Sequence, residues 1–115
     1  MRYDRRMKQD CYDDFEQVIT LLMQNQPLFF ALGDMARQEI VILLGRHERL
    51  SVGELAGYTE LSRPAVSHHL KVLKGAGLLR ETREGVRRYY QPVFHEAVEN
   101  IEQLMRHIRK IKELV

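Results

Sequence analysis

The sequence predicts a mainly α-helical fold with one small β-hairpin, in the order α-α-α-α-α-β-β-α, and three observations carry that expectation. Apolar residues recur at spacings of three and four along most of the chain, the period of one helix face. Two β-prone runs, Leu78 to Arg83 and Val86 to Gln91, flank a Glu84-Gly85 pair, where glycine tolerates the positive φ of a hairpin turn. The 115 residues suffice for one compact domain, so the whole chain, 1–115, is read as a single unit.

Residues 11 to 25 place Tyr12, Phe15, Val18, Ile19, Leu22 and Met23 on one apolar face, which predicts the first helix. Pro27 separates it from two helical pieces between Leu28 and Gly45 that meet near Gly33-Asp34, with Asp34 as N-cap and Gly45 as the stop. Ser51 and Glu54 have capping-box spacing, so a short helix starts there and buries Val52, Leu55 and Ala56. Ser62 caps the next helix, which tolerates Pro64 in its first turn, runs to about Ala76 and stops at Gly77. The hairpin follows and Pro92 closes it. From Val93 to Val115 a last helix carries Phe94, Ala97, Ile101, Leu104, Ile108, Ile111 and Val115 at alternating three and four spacing, one seam over about three heptads.

Composition narrows the setting. No apolar stretch approaches the roughly 20 residues that span a bilayer, and Met1 to Asp10 is charged rather than signal-like, so a cytoplasmic protein is expected. The single cysteine, Cys11, permits no disulfide within one chain and fits a reducing compartment. Formal net charge is only +2, but it is unevenly spread: Leu61 to Gln91 holds seven basic and two acidic residues, the remainder 11 and 14.

Two helices joined by a tight turn and followed by a basic hairpin form a winged helix-turn-helix. In such a unit the second helix is narrow enough for the major groove of B-DNA, and the hairpin reaches the neighbouring backbone or minor groove. At 100° per residue Val66, Leu70 and Leu73 form the packing side of helix 62–76, while Pro64, Ser67, His68 and Lys71 lie on or near the opposite side, with Ser62 and Arg63 at the exposed start and His69 at the boundary. Ser67 and His68 offer short, directional groups for base edges; Arg63 suits guanine or phosphate, and Lys71 suits phosphate. In wing 78–91, Arg83, Arg87 and Arg88 flank the turn, and alternation lets only one of Arg87 and Arg88 share a face with Arg83. Tyr89 and Tyr90 are read as packing residues at its base.

The runs Ala31 to Leu44, Ser51 to Ala56, Leu61 to Leu79 and Arg83 to Tyr90 resemble the ArsR/SmtB family of bacterial repressors, above all in Ser62-Arg-Pro-Ala-Val-Ser-His-His-Leu70. The resemblance covers about residues 28 to 92. It implies a transcriptional repressor that binds operator DNA as a homodimer through its first and last helices, with repression relieved by a signal. The residues agree on the dimer: Tyr12, Phe15, Ile19 and Leu22 on helix 11–25 form an apolar face larger than a chain this short needs for itself. Phe94, Ile101, Leu104, Ile108 and Ile111 do the same on helix 93–115.

No cofactor is expected. Segment 51 to 58 lacks the cysteines of one type of metal-sensing relative, and in the last helix Val93 stands where such relatives have Asp, with Lys110 near His107. His95, Glu99 and His107 are the one candidate set for zinc or nickel, and Cys11 the one redox candidate. An enzyme is disfavoured, since no Gly-rich phosphate loop, nucleophile elbow or spaced carboxylate pair is present. The alternative from another class is a winged helix used for protein or RNA contact.

Overall fold

The computed structural model describes the backbone of residues 5–114 and the side chains of residues 12–111, so Cys11 lies outside the described side chains. The elements are α1 (Arg5–Gln24), α2 (Gln26–Leu32), α3 (Met35–His47), β1 (Leu50–Ser51), α4 (Val52–Tyr58), α5 (Arg63–Gly75), β2 (Leu79–Glu84), β3 (Arg87–Pro92) and α6 (His95–Leu114). They fall into two compact units. Residues 27–97 make one; the helical segments up to residue 26 and from residue 98 make the other.

Helix starts in the larger unit follow the sequence's own caps. Asp34 accepts from the backbone N–H of Arg37 at 3.0 Å to open α3. Ser51 and Glu54 form the reciprocal capping box of α4, and Ser62 accepts from Ala65 to open α5. Arg37, only 6% exposed, then finishes α2: its Nε donates to Ala31 O at 2.7 Å and its Nη2 to Phe30 O at 3.0 Å, satisfying carbonyls that the short helix leaves open. Gln38 does the same for Leu32 O.

Burial of Leu28, Ile40, Leu44, Leu55, Val66, Leu70 and Leu73 packs α2 to α5 together, and Leu78, Leu79 and Tyr90 bring the hairpin base into the same core. The hairpin pairs Leu79 with Pro92 through Glu84 with Arg87, leaving Gly85-Val86 as the turn. Gly85 alone has positive φ there, the pattern of a type II′ turn.

Several boundaries differ from the sequence reading; in the hairpin the turn is Gly85-Val86 rather than Glu84-Gly85, and Pro92 is the last residue of β3. Helix α1 starts at Arg5 rather than 11, because Arg5, Arg6, Met7, Lys8 and Gln9 favour helix although they carry no apolar period. Helix α3 passes Gly45 and ends at His47, so the glycine is interior. Helix α6 starts at His95; Val93 N still donates to Leu78 O, which holds Val93 and Phe94 to the hairpin base. A third strand, β1, escaped the pattern altogether: Leu50 and Ser51 pair with Tyr90 and Tyr89, giving the sheet order β1-β3-β2.

The smaller unit has a slight core of Val18, Leu21 and Leu104, with Ile111 packed against it. Leu104 and Ile111, assigned from sequence to a dimer interface, are therefore used within the chain. Tyr12 (59% exposed), Phe15, Ile19, Leu22 and Ile108 remain open on the surface, as does Phe94 in the larger unit, while Ile101 is half-buried. No helix among the described residues is long and apolar enough to cross a membrane.

Candidate nucleic-acid interface

Helix α5 divides as its period requires. Val66, Leu70 and Leu73 are buried, and Arg63, Ser67, His68 and Lys71 are exposed along the other side, with the cap Ser62 exposed before them. His69 does not belong to that outer row. It is half-buried, with Nδ1 3.2 Å from Nη1 of Arg37, so the residue that closes α2 also touches the back of α5.

Arg63 leaves the first turn of α5 and lays its guanidinium against α4. A Cβ at Gly53 would stand 3.2 Å from Nη2 and 3.5 Å from Cζ of Arg63, so the absence of a side chain at Gly53 gives that group its place. The guanidinium lines a cleft of about 510 Å³ together with Gly53, Glu54, Val86, Arg87 and Arg88. Positive charge from the helix start and from the wing thereby meets in one concavity.

Register settles the faces of the wing. Arg83 lies directly opposite Arg88, so these two share a face, whereas Arg87 opposes Glu84 on the other. Like charges in direct cross-strand opposition cost stability, and Arg88 offsets part of that cost through Glu81 on the same face, whose Oε1 lies 3.7 Å from its Nη1. Tyr90 is buried with its hydroxyl donating to Glu81 Oε1 at 2.9 Å, and Tyr89 is half-buried, so both tyrosines pack as the sequence suggested.

The wing is also tied from a direction the sequence did not reveal. Arg49 grips Glu84 with both arms of its guanidinium, at 2.6 and 3.0 Å, and stacks 4.2 Å over the Tyr89 ring. That fork holds the Glu84 carboxyl below its usual range. What aims Arg49 is a γ-turn: Arg49 N donates to His47 O at 2.7 Å across Glu48, whose φ is 66°. Charge pairs 35 residues apart leave no local signal for Arg49 in the sequence, and Gly53 gives none because its role depends on where the Arg63 guanidinium lies.

The metal candidates do not come together. His95 opens α6 and Glu99 lies one turn on, but His107 is about two turns beyond Glu99, roughly 12 Å further along the helix. His107 Nδ1 instead lies 3.1 Å from Asp14 Oδ1. Among the described residues no three His, Cys, Asp or Glu side chains converge as a metal set would.

Comparison with known proteins fits this geometry. Residues 34–81 match the profile of the bacterial regulatory proteins of the arsR family, a span that runs from the Asp34 cap through α5 into β2. The HTH-type transcriptional regulator Rv2034 of Mycobacterium tuberculosis is 54% identical over 61 residues, 53% of this chain and 56% of that protein. The transcriptional repressor SdpR of Bacillus subtilis is 35% identical over 63 residues, 55% of this chain and 69% of SdpR. The chain thus matches little more than half the length of the Mycobacterium regulator. Among solved structures, an ArsR-like transcriptional regulator from Rhodococcus sp. RHA1 superposes with a TM-score of 0.75 at 27% identity, over 83% of this chain and 86% of that one. With the profile match lying on the helix-turn-helix itself and the relatives agreeing, the chain belongs to the ArsR family of bacterial regulatory proteins, with a winged helix-turn-helix fold.

Proposed function

We propose that this chain is a cytoplasmic, non-enzymatic transcriptional regulator that represses by binding operator DNA as a homodimer. One observation carries the reading: Ser67, His68 and Lys71 stand in a row on the exposed side of α5, with nothing of their own unit covering them, beside an arginine-bearing hairpin. In that arrangement α5 enters the major groove, Ser67 and His68 meet base edges, and Ser62, Arg63 and Lys71 hold backbone phosphate. Arg83, Arg87 and Arg88 extend the phosphate contacts along the wing. His69 is assigned to holding α5 in place rather than to DNA.

The homodimer reading rests on the smaller unit. Among the described residues, the buried apolar side chains Val18, Leu21 and Leu104 are too few to stabilise a pair of twenty-residue helices, and the apolar residues left open on them need a partner. A second copy supplies one, and it brings a second α5 to a paired half-site.

Footprinting on the chain's own promoter region, followed by fluorescence anisotropy over a salt series, tests the proposal. Arg87→Ala is expected to weaken binding to all duplexes and to lower the slope of log affinity against log salt by about one. His68→Ala is expected to change sequence preference, by about 1 to 3 kcal/mol at one base pair. A chain that binds duplex DNA with no salt dependence, or that binds protein or RNA equally well after Arg87→Ala, would belong to the other class of winged helix.

A further inference from the structure

The hairpin face that carries Arg83 and Arg88 also carries Glu81, and it looks across a second cleft, of about 270 Å³, at Ser67, Lys71 and Lys74 of α5. Three cations and one carboxylate line this cleft, and the carboxylate is fully engaged. Glu81 Oε2 accepts from Lys74 Nζ at 2.9 Å; Oε1 accepts from the Tyr90 hydroxyl at 2.9 Å and lies 3.7 Å from Arg88 Nη1. Depth separates the charges: Glu81 is 18% exposed, Lys74 and Arg88 are 51% and 54% exposed. The anion therefore sits inside the cleft and the cations on its rim, where a phosphate arriving from solvent meets them first. Glu81 is also held ionised, its carboxyl below the ordinary range through the bonds from Lys74 and Tyr90.

We propose that Glu81 sets the strength of DNA binding by acting as an internal stand-in for backbone phosphate, holding Lys74 and Arg88 in the free protein and competing for them in the complex. The inference rests on the DNA-binding reading above. Its physical basis is that a cation adds to duplex affinity by displacing counterions from phosphate, and a cation already neutralised by a carboxylate adds less. Tyr90 fixes Glu81 from below, so the carboxylate cannot follow the cations outward. The effect is independent of sequence, because phosphates are the same at every base pair. A carboxylate beside the cations also lets them return to a partner when DNA leaves, which favours release.

Glu81→Gln tests this. The amide keeps an oxygen for the Tyr90 hydroxyl, while its NH2 takes the place of the oxygen that accepts from Lys74, so the charge and the hold on Lys74 are lost together. Anisotropy with a mixed-sequence duplex and with the footprinted duplex, over a salt series, should give binding about threefold to tenfold tighter at low salt on both duplexes, with a slope steeper by about one to two. Adding Lys74→Ala to Glu81→Gln should take back about half of that gain. An unchanged or shallower slope in Glu81→Gln overturns the proposal, as does a double variant as steep as the single one. A Glu81→Gln chain that fails to fold by circular dichroism overturns it too, because Glu81 would then be a structural brace. If the unaltered chain binds neither duplex, the DNA reading and this inference fall together; if it binds both and Glu81→Gln merely matches it, this inference alone fails.

Discussion

Single residues in this chain hold conformations that only their long-range partners explain, and Glu48 is the plainest. Its φ of 66° places a residue with a side chain in the left-handed region, where glycine belongs, and the γ-turn that results is a strained form. The turn delivers Arg49 to Glu84 and Tyr89, so local strain is exchanged for an anchored wing. Replacing Glu48 with glycine keeps the turn and removes the strain, while adding chain entropy to the unfolded state. The net expectation for Glu48→Gly is unfolding free energy equal to or up to about 1 kcal/mol above that of the parent chain in urea titration. A clear loss of stability would mean that the turn is not strained or that the Glu48 side chain has a role of its own. None of this was legible in the sequence, since Glu48 and Arg49 there are two charged residues after a helix. Their importance comes from a hairpin 35 residues away.

Elements were legible to the extent that their signals are local. Asp34, Ser51 with Glu54, and Ser62 were read as helix starts because a capping side chain sits within three residues of the amide it accepts from, and all three caps are formed. The stop at Gly77, with φ of 77°, follows the same logic. Gly45 misled because glycine inside a helix costs only about 1 kcal/mol, which packing of Leu44 and the Asp34 cap outweigh. Strand β1 was missed because two residues carry no period, and only pairing with β3 makes them a strand. The caps also make a prediction about acid. The Asp34 carboxyl is held below its usual range chiefly by the Arg37 backbone N–H, and the Glu54 carboxyl by the Ser51 backbone N–H and then its side chain. A carboxyl depressed in the folded state adds stability above the unfolded value and loses it as pH falls through the folded one. Melting temperature should therefore drop as pH falls below about 4, and the double variant Asp34→Asn, Glu54→Gln should show a shallower drop than the parent. A parallel drop in both proteins would show that these two caps do not set the acid limb.

At the scale of the whole molecule, net charge of +2 conceals a division of labour. Basic residues gather on α5 and the hairpin, and about half of the exposed large apolar residues among the described ones lie on α1 and α6. The sequence displayed both as patterns, but could not say how much of the apolar seam the chain uses for itself. Leu104 is spent on Val18 and Leu21, whereas Phe15 (53% exposed) and Ile108 are not. These two make the homodimer testable without touching the core. Carboxylates at Phe15 and Ile108 would have to be buried unpaired in any interface formed by this face, a cost that grows with each copy. The variant Phe15→Glu, Ile108→Glu should sediment as a monomer where the parent sediments as a dimer, with its α3 to α5 core intact by near-ultraviolet circular dichroism. Its affinity should fall far more on a duplex with two half-sites than on one with a single half-site, because only the first rewards two linked recognition helices. Equal losses on both duplexes would point to damage within the protomer instead. A variant that still sediments as a dimer would place the interface elsewhere, since two charged groups on each chain cannot be absorbed by a face that is dry when paired.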